Sequence, residues 1–300
     1  MEVTMDKNVK FKVITDTTSD IPTEIGKELN INIIPYYIHM DGKSYEENVD
    51  IQPEDVWEYL KKAPENNLPK TACPGVGEYY EAFKKILEEG LSVLSIHLTS
   101  WGSGAFQSAS MAKSILKEEN PNYEIEVIDS KSVSLGTGFM AIEAARAALK
   151  GLSLKEAVEH IQKIRDNLFH AFTNETLKYL AAGGRIGKAK FLLAEIFNIN
   201  PIISIDKEGV LFALDKARGR LNAYQKIISH MQDFFKDKIS LNIGLLHANA
   251  WEEIQKLKEE IVKHFEIKEV LINKLSAALS VHSGPGTVGI IAYPSSLSIK

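Results

Sequence analysis

Cysteine, long apolar runs and basic excess are all scarce in this chain, and each shortage removes a class of protein. One cysteine in 300 residues, Cys73, rules out an intrachain disulfide and any multi-cysteine metal site. A reducing cytoplasm is therefore the expected compartment. No stretch approaches the roughly 20 apolar residues of a membrane-spanning helix, and the opening MEVTMDKNVKFKVITD lacks the apolar core of a secretory signal. Membrane contact, if any, is expected to be transient. The net charge of -5 offers no general attraction to nucleic acid, so no such partner is expected. Neither G-x-x-x-x-G-K-[ST] nor a G-x-G-x-x-G after a strand occurs, which removes both nucleotide fingerprints. The histidines, including His39, His97, His170, His247 and His282, lack H-E-x-x-H or any other ligand spacing, so no metal is expected.

What is present is an α/β pattern. Short β-branched runs alternate with longer segments of helical period, which predicts sheets covered by helices. In the first half, strands are expected near Lys12–Thr15, Ile31–Ile38, Val93–Leu98 and Glu126–Ile128, with helices near Thr23–Leu29, Pro53–Lys61, Gly77–Glu89 and Gly104–Lys117. A helix near Phe139–Leu149 follows, and Ser153 with Glu156 three residues on resembles a capping box. A second series places strands at Ala171–Thr173, Ile202–Ile205, Val210–Asp215, Asn242–His247, Val270–Lys274 and Val288–Ala292. The KEG at 207–209 reads as a hairpin turn, so the first sheet is expected to be mainly parallel and the second mixed. This predicts two α/β domains, 1–165 and 166–300.

Ligands of open α/β sheets gather beyond the carboxyl ends of the strands. The loops DTTSD (16–20), TSWGSG (99–104), DSKSVSLGTG (129–138) and HSGPG (282–286) follow strands, and KTACPG (70–75) precedes a helix. All carry hydroxyls or glycines, as turns and caps require, but five together suggest one shared polar cleft. Ser103 is not set in the G-x-S-x-G of a hydrolase elbow, because its glycines are directly adjacent. Helix-start amides plus the Ser103 hydroxyl suit a compact anion, carboxylate or phosphate. His97, ending an apolar strand, reads as a satisfied core residue, and Cys73 as a buried thiol. His282, before Ser-Gly-Pro-Gly, is a site candidate.

The ordered motifs VITDTTSDIP (13–22), KTACPG (70–75), LTSWGSGAFQSA (98–109), VIDSKSVSLGTGF (127–139), LKYLAAGGRIGKAKFLL (177–193), INPIISID (199–206) and VHSGPGTVG (281–289) resemble the DegV family. These are bacterial fatty-acid-binding proteins that include the binding subunit of fatty acid kinase. The resemblance implies two α/β domains with a long-chain fatty acid buried between or beside them, its carboxylate held by Thr71, Ser103 and His282. It further implies a separate ATP-using kinase as partner, with Arg185 directed toward that partner or the phosphate, and no catalytic residue or cofactor in this chain itself. Departures fall at Ala72, Cys73, Gly75, Gly102 and Ala105, where the usual pattern has serine, glutamine, serine or threonine, leucine and threonine respectively.

The energetics suit a lipid. Charge-assisted hydrogen bonds of about 1.5–3 kcal/mol each roughly offset the desolvation of a carboxylate. A tail of about 16 carbons contributes on the order of 10 kcal/mol gross at about 0.8 kcal/mol per methylene. Phe169, Leu192, Leu193, Ile196, Phe197 and Ile203 are the expected tunnel wall, because AKFLLAEIF (189–197) is apolar on more than one helical face. Lys188 and Lys190 join Arg185 in a local basic cluster. The competing expectation is a small-molecule hydrolase or acyl-transfer enzyme using Ser103 and His282.

Overall fold

The structure is a computed structural model that describes residues 9–195, 199–236 and 239–299. Its first half contains β1 (Phe11–Asp16), α1 (Thr23–Glu28), β2 (Asn32–Ile34), β3 (Tyr37–Met40), β4 (Lys43–Glu46) and α2 (Pro53–Lys62). Then come β5 (Lys70–Ala72), α3 (Val76–Glu88), β6 (Ser92–His97), α4 (Ala105–Glu119), β7 (Ile125–Asp129), α5 (Leu135–Leu149) and α6 (Leu154–Asp166). The second half contains β8 (Phe169–Thr173), α7 (Lys178–Ala182), β9 (Asn200–Ile205), β10 (Leu211–Ala217), α8 (Arg220–Phe234) and β11 (Ser240–His247). It closes with α9 (Trp251–Ile261), β12 (Glu266–Lys274), α10 (Ala277–Ser283) and β13 (Val288–Pro294).

These elements form two α/β domains. The first is built on a parallel sheet of order β2-β1-β6-β7, and the second on a mixed sheet of order β10-β9-β8-β13-β11-β12. Right-handed crossovers through helices are the usual way to connect parallel strands. The β9–β10 hairpin turns at KEG, where the Gly209 amide donates to the Asp206 carbonyl at 2.9 Å. The Ser153 capping box forms, with the Ser153 amide donating to Glu156 Oε2 at 2.8 Å and the Glu156 amide to Ser153 Oγ at 3.3 Å.

One expectation is corrected. The apolar run 31–38 is two strands, because Pro35 separates β2 of the parallel sheet from β3 of a third, antiparallel sheet, β4-β3-β5. Proline has no amide to donate to a ladder, so the chain leaves the first sheet there. Thr71 accordingly lies within the short strand β5, opposite Ile38 of β3.

Two elements tie the halves together. Helix α5 is buried on nearly every side and packs with Phe11, Val13, Leu94 and Ile96 of the first sheet and Leu246, Ile291 and Tyr293 of the second. A helix apolar all round belongs between two layers. Helix α10, from the second half, docks on the first: Trp57 Nε1 donates to Ser280 Oγ at 2.8 Å. The Ser276 amide at its N-cap donates to Asp20 Oδ1 at 2.8 Å.

Candidate functional site

The parallel strands end together. Asp16 closes β1, His97 closes β6 and Asp129 closes β7, so DTTSD, TSWGSG and the loop after β7 meet at one sheet edge. His97 is fully buried, as expected of a core histidine. Its Nδ1 lies 2.9 Å from Asp16 Oδ2 and its Nε2 2.7 Å from Ser95 Oγ. Asp16 Oδ1 accepts from the Thr18 amide at 3.1 Å and from the Thr18 hydroxyl. Buried polar groups need such partners, and these bonds stiffen the floor beneath the loops.

Above that floor is a polar cavity of about 230 Å³, with Thr18, Tyr36, Thr71, Cys73, Ser103, Arg185 and His282 in its wall. Ser103 Oγ is 2.8 Å from the Tyr36 hydroxyl and accepts from the Ala105 amide at 3.3 Å. Burial, with the Asp16 charge nearby, raises the Tyr36 pKa well above the usual phenol value and keeps its proton in place. Thr71 Oγ1 is 2.8 Å from His282 Nε2. His282 stands in the last turn of α10 rather than in a loop, and its ring lies against Gly183. Burial first, and the Arg185 charge second, lower its pKa to about 4, so the imidazole is neutral near pH 7. Its Nδ1 is buried without a hydrogen-bond partner among the described residues. Arg185 Nε donates to the Gly102 carbonyl at 3.1 Å and NH1 to the Gly183 carbonyl at 2.6 Å. Among the residues lining this cavity, Arg185 carries the only formal charge with His282 neutral.

An apolar slot of about 120 Å³ opens beside it, sharing Leu98, Gly102, Arg185, Leu279 and His282 with the polar cavity. Its surface is almost wholly carbon, and it runs between the sheets past Leu246, Leu275 and Ile291. Apolar cavities of order 150 Å³ stay dry. The four described residues of the expected wall, Phe169, Leu192, Leu193 and Ile203, do not line this slot. Phe169 faces the other side of β8, packing 5.7 Å ring to ring from Phe234, while its neighbour His170 lines the slot. Successive strand residues point to opposite faces, so the expected parity was off by one. Leu192, Leu193 and Ile203 form a small cluster with Ile205 and Leu211, and only those last two reach the slot. The segment Gly187–Glu195 is a run of 3-10 turns, not an α-helix, which redistributes its apolar faces. Ile196 and Phe197 lie outside the described residues. Cys73 is half-buried in the polar cavity wall, not a core thiol. Ser103 and His282, paired in the hydrolase expectation, instead bond Tyr36 and Thr71.

The DegV family profile matches residues 10–295. The chain belongs to the DegV family. A DegV domain-containing protein of Caldanaerobacter subterraneus is 31% identical over 281 residues, covering 94% of this chain and 98% of that one. Among solved structures, a DegV family protein from Thermus thermophilus, described by its fatty acid binding, superposes with a TM-score of 0.89. It is 29% identical and the match covers 95% of this chain and 99% of that one. DegV of Bacillus subtilis, described as a fatty acid binding protein, gives a TM-score of 0.84 at 27% identity, covering 95% and 99%. No helix among the described residues is long and apolar enough to cross a membrane.

Within this DegV chain, the resemblance grouped Thr71, Ser103 and His282, and the structure places them in one cavity wall together with Arg185, which the resemblance directs toward a partner or phosphate; Tyr36 and the slot wall were missed. Tyr36 falls just past the strand break at Pro35, where no periodic signal marks its direction. The slot wall draws on β8, β9, β10, β11, β13, α7, α10 and the loops between distant elements, and no local pattern reports that convergence.

Proposed function

We propose that this DegV chain is a long-chain fatty acid carrier, holding the tail in the apolar slot and the carboxylate among Thr71, Ser103, His282 and Arg185. The observation that carries the reading is the junction itself: a carbon-lined slot and a hydroxyl-lined cavity share five residues. The ligand that fits has one anionic end and one long apolar end. When Tyr36 is the donor of its bond to Ser103, alongside the Ala105 amide, the serine's own proton is left for an acceptor. In the His282 tautomer that carries its proton on Nε2, the ring donates to Thr71 and the threonine proton is free in the same way. Arg185 adds the positive charge that a carboxylate or acyl phosphate needs in a half-buried place. The N-terminus of α4 begins beside Ser103 and favours the same sign.

The carrier is not itself the catalyst in this reading. It presents the carboxylate to a separate ATP-dependent fatty acid kinase, which forms the acyl phosphate. The test is direct: mass spectrometry of purified protein finds a co-purified fatty acid, and delipidated protein binds C14–C18 acids in calorimetry. Failure of delipidated, folded protein to bind any of them overturns the reading. ATP-dependent acyl phosphate formation, when a fatty acid kinase catalytic subunit is added, tests the partner.

A further inference from the structure

We propose that Trp101 is the gate of the apolar slot, the side chain that must swing for a fatty acid tail to enter or leave. This rests on the carrier reading above and adds to it a residue that decides access. The slot as it stands is comparable in size with apolar cavities that hold a single benzene ring. A long alkyl chain is far larger, so some part of the wall has to give way.

Trp101 is the part best able to do so. Of the residues lining the slot it is the only exposed one, with 37% of its surface facing solvent. Its indole nitrogen makes no hydrogen bond among the described residues, so side-chain contact alone holds it. The backbone beneath is pinned: the Thr99 amide donates to the Ser132 carbonyl at 2.8 Å, and the Gly102 and Ser103 amides to the Thr99 carbonyl at 2.9 and 3.3 Å. The Gly102 carbonyl is also held by Arg185 Nε. A ring can therefore rotate about its own side-chain bonds while the loop, and with it Ser103, stays in place.

The second domain supplies the sill against which this gate closes. Gly187, at φ +56, lies so near that a methyl group on it would be 3.2 Å from Trp101 Cη2 and would overlap the Leu211 carbonyl oxygen. Gly209, at φ +82, would with a methyl group overlap Thr99 Oγ1. Two glycines from one domain thus let the other domain's TSWG loop seat flush over the slot, with only van der Waals contact at the indole. Such contact can be broken without breaking any of the loop's backbone hydrogen bonds.

A gate sets rates in both directions, whereas a static wall residue changes mainly dissociation. The experiment is stopped-flow fluorescence with cis-parinaric acid, an 18-carbon fluorescent fatty acid, on delipidated wild-type protein and on Trp101→Ala, Trp101→Leu and Trp101→Phe. We expect Trp101→Ala to raise the association rate constant by about tenfold and dissociation by at least as much. Trp101→Leu gives a smaller change in the same direction, and Trp101→Phe stays near wild type. Trp101→Leu keeps an apolar wall and serves if the alanine variant does not fold. Association unchanged or slowed in both smaller variants overturns the gate while leaving the carrier reading intact. No binding of the probe to folded wild-type protein overturns the carrier reading, and the gate falls with it.

Discussion

Replacing Gly183 with alanine should cost this protein its grip on a carboxylate while leaving the fold in place. Gly183 ends α7 with φ of -76°, a conformation any residue adopts, so alanine brings no backbone strain. The difficulty is space: an added methyl would overlap His282 Nδ1, lie 3.0 Å from its Cε1 and 3.2 Å from the Tyr179 carbonyl oxygen. His282 is the movable party, and its displacement breaks the 2.8 Å contact with Thr71. Losing one hydrogen bond in a half-buried site costs about 1–3 kcal/mol, which is roughly 5- to 150-fold in affinity at tenfold per 1.4 kcal/mol. The assay is calorimetry with palmitate and, in parallel, with the matching fatty alcohol. The acid should weaken by that factor and the alcohol much less, because apart from His282 the carbon-lined wall of the slot is untouched. Unaltered palmitate affinity in folded Gly183→Ala, or an equal loss for both ligands, would refute the reasoning.

Other perturbations read different parts of the site. Ser103→Ala and Thr71→Ala should each weaken fatty acid binding by about 1–3 kcal/mol in calorimetry without a matching fall in Tm; no change in either removes both hydroxyls from the head-group site. Arg185→Met should reduce the preference for palmitate over the alcohol in the same calorimetric assay, since it takes away the cavity's positive charge while keeping much of the side chain's bulk. Asp20, whose pKa burial raises to about 8 despite its bonds from Ser134 and Ser276, is protonated in the folded chain where the unfolded chain has already lost that proton. Its contribution to stability is therefore complete below about pH 4 and declines as pH rises through 8. Asp20→Asn should flatten the fall of Tm between pH 6.5 and 8, and an unaltered slope would place the titration elsewhere.

Much of this architecture is legible from local pattern. Alternating strand and helix periods located both sheets, because burial of one face imposes a period of 2 or 3.6 wherever it occurs. Asp16, Ser103 and the loop after β7 could be assigned to one edge, since parallel strands end together. The antiparallel sheet of β3, β4 and β5 was less legible, because its strands are three or four residues long and carry little alternation.

Thr71, Ser103, Arg185 and His282 are recognisable one by one in their motifs, but their meeting is a tertiary fact. His282 is 211 residues from the threonine it touches, and α10 reaches it only because Asp20 and Trp57 hold that helix against the first domain. The slot is still further from any sequence signal. Its wall depends on which face of β8 turns inward, and a shift of one position exchanges Phe169 for His170. Apolar character is a property of single residues and survives in the sequence; an unfilled space between two sheets is a property of how side chains from distant segments fail to meet. Composition and periodicity therefore determined that this chain folds as two α/β layers with polar loops at a common edge. Only the packing of the layers decided that an oily slot opens beside the cavity that holds Ser103, with Trp101 in its wall.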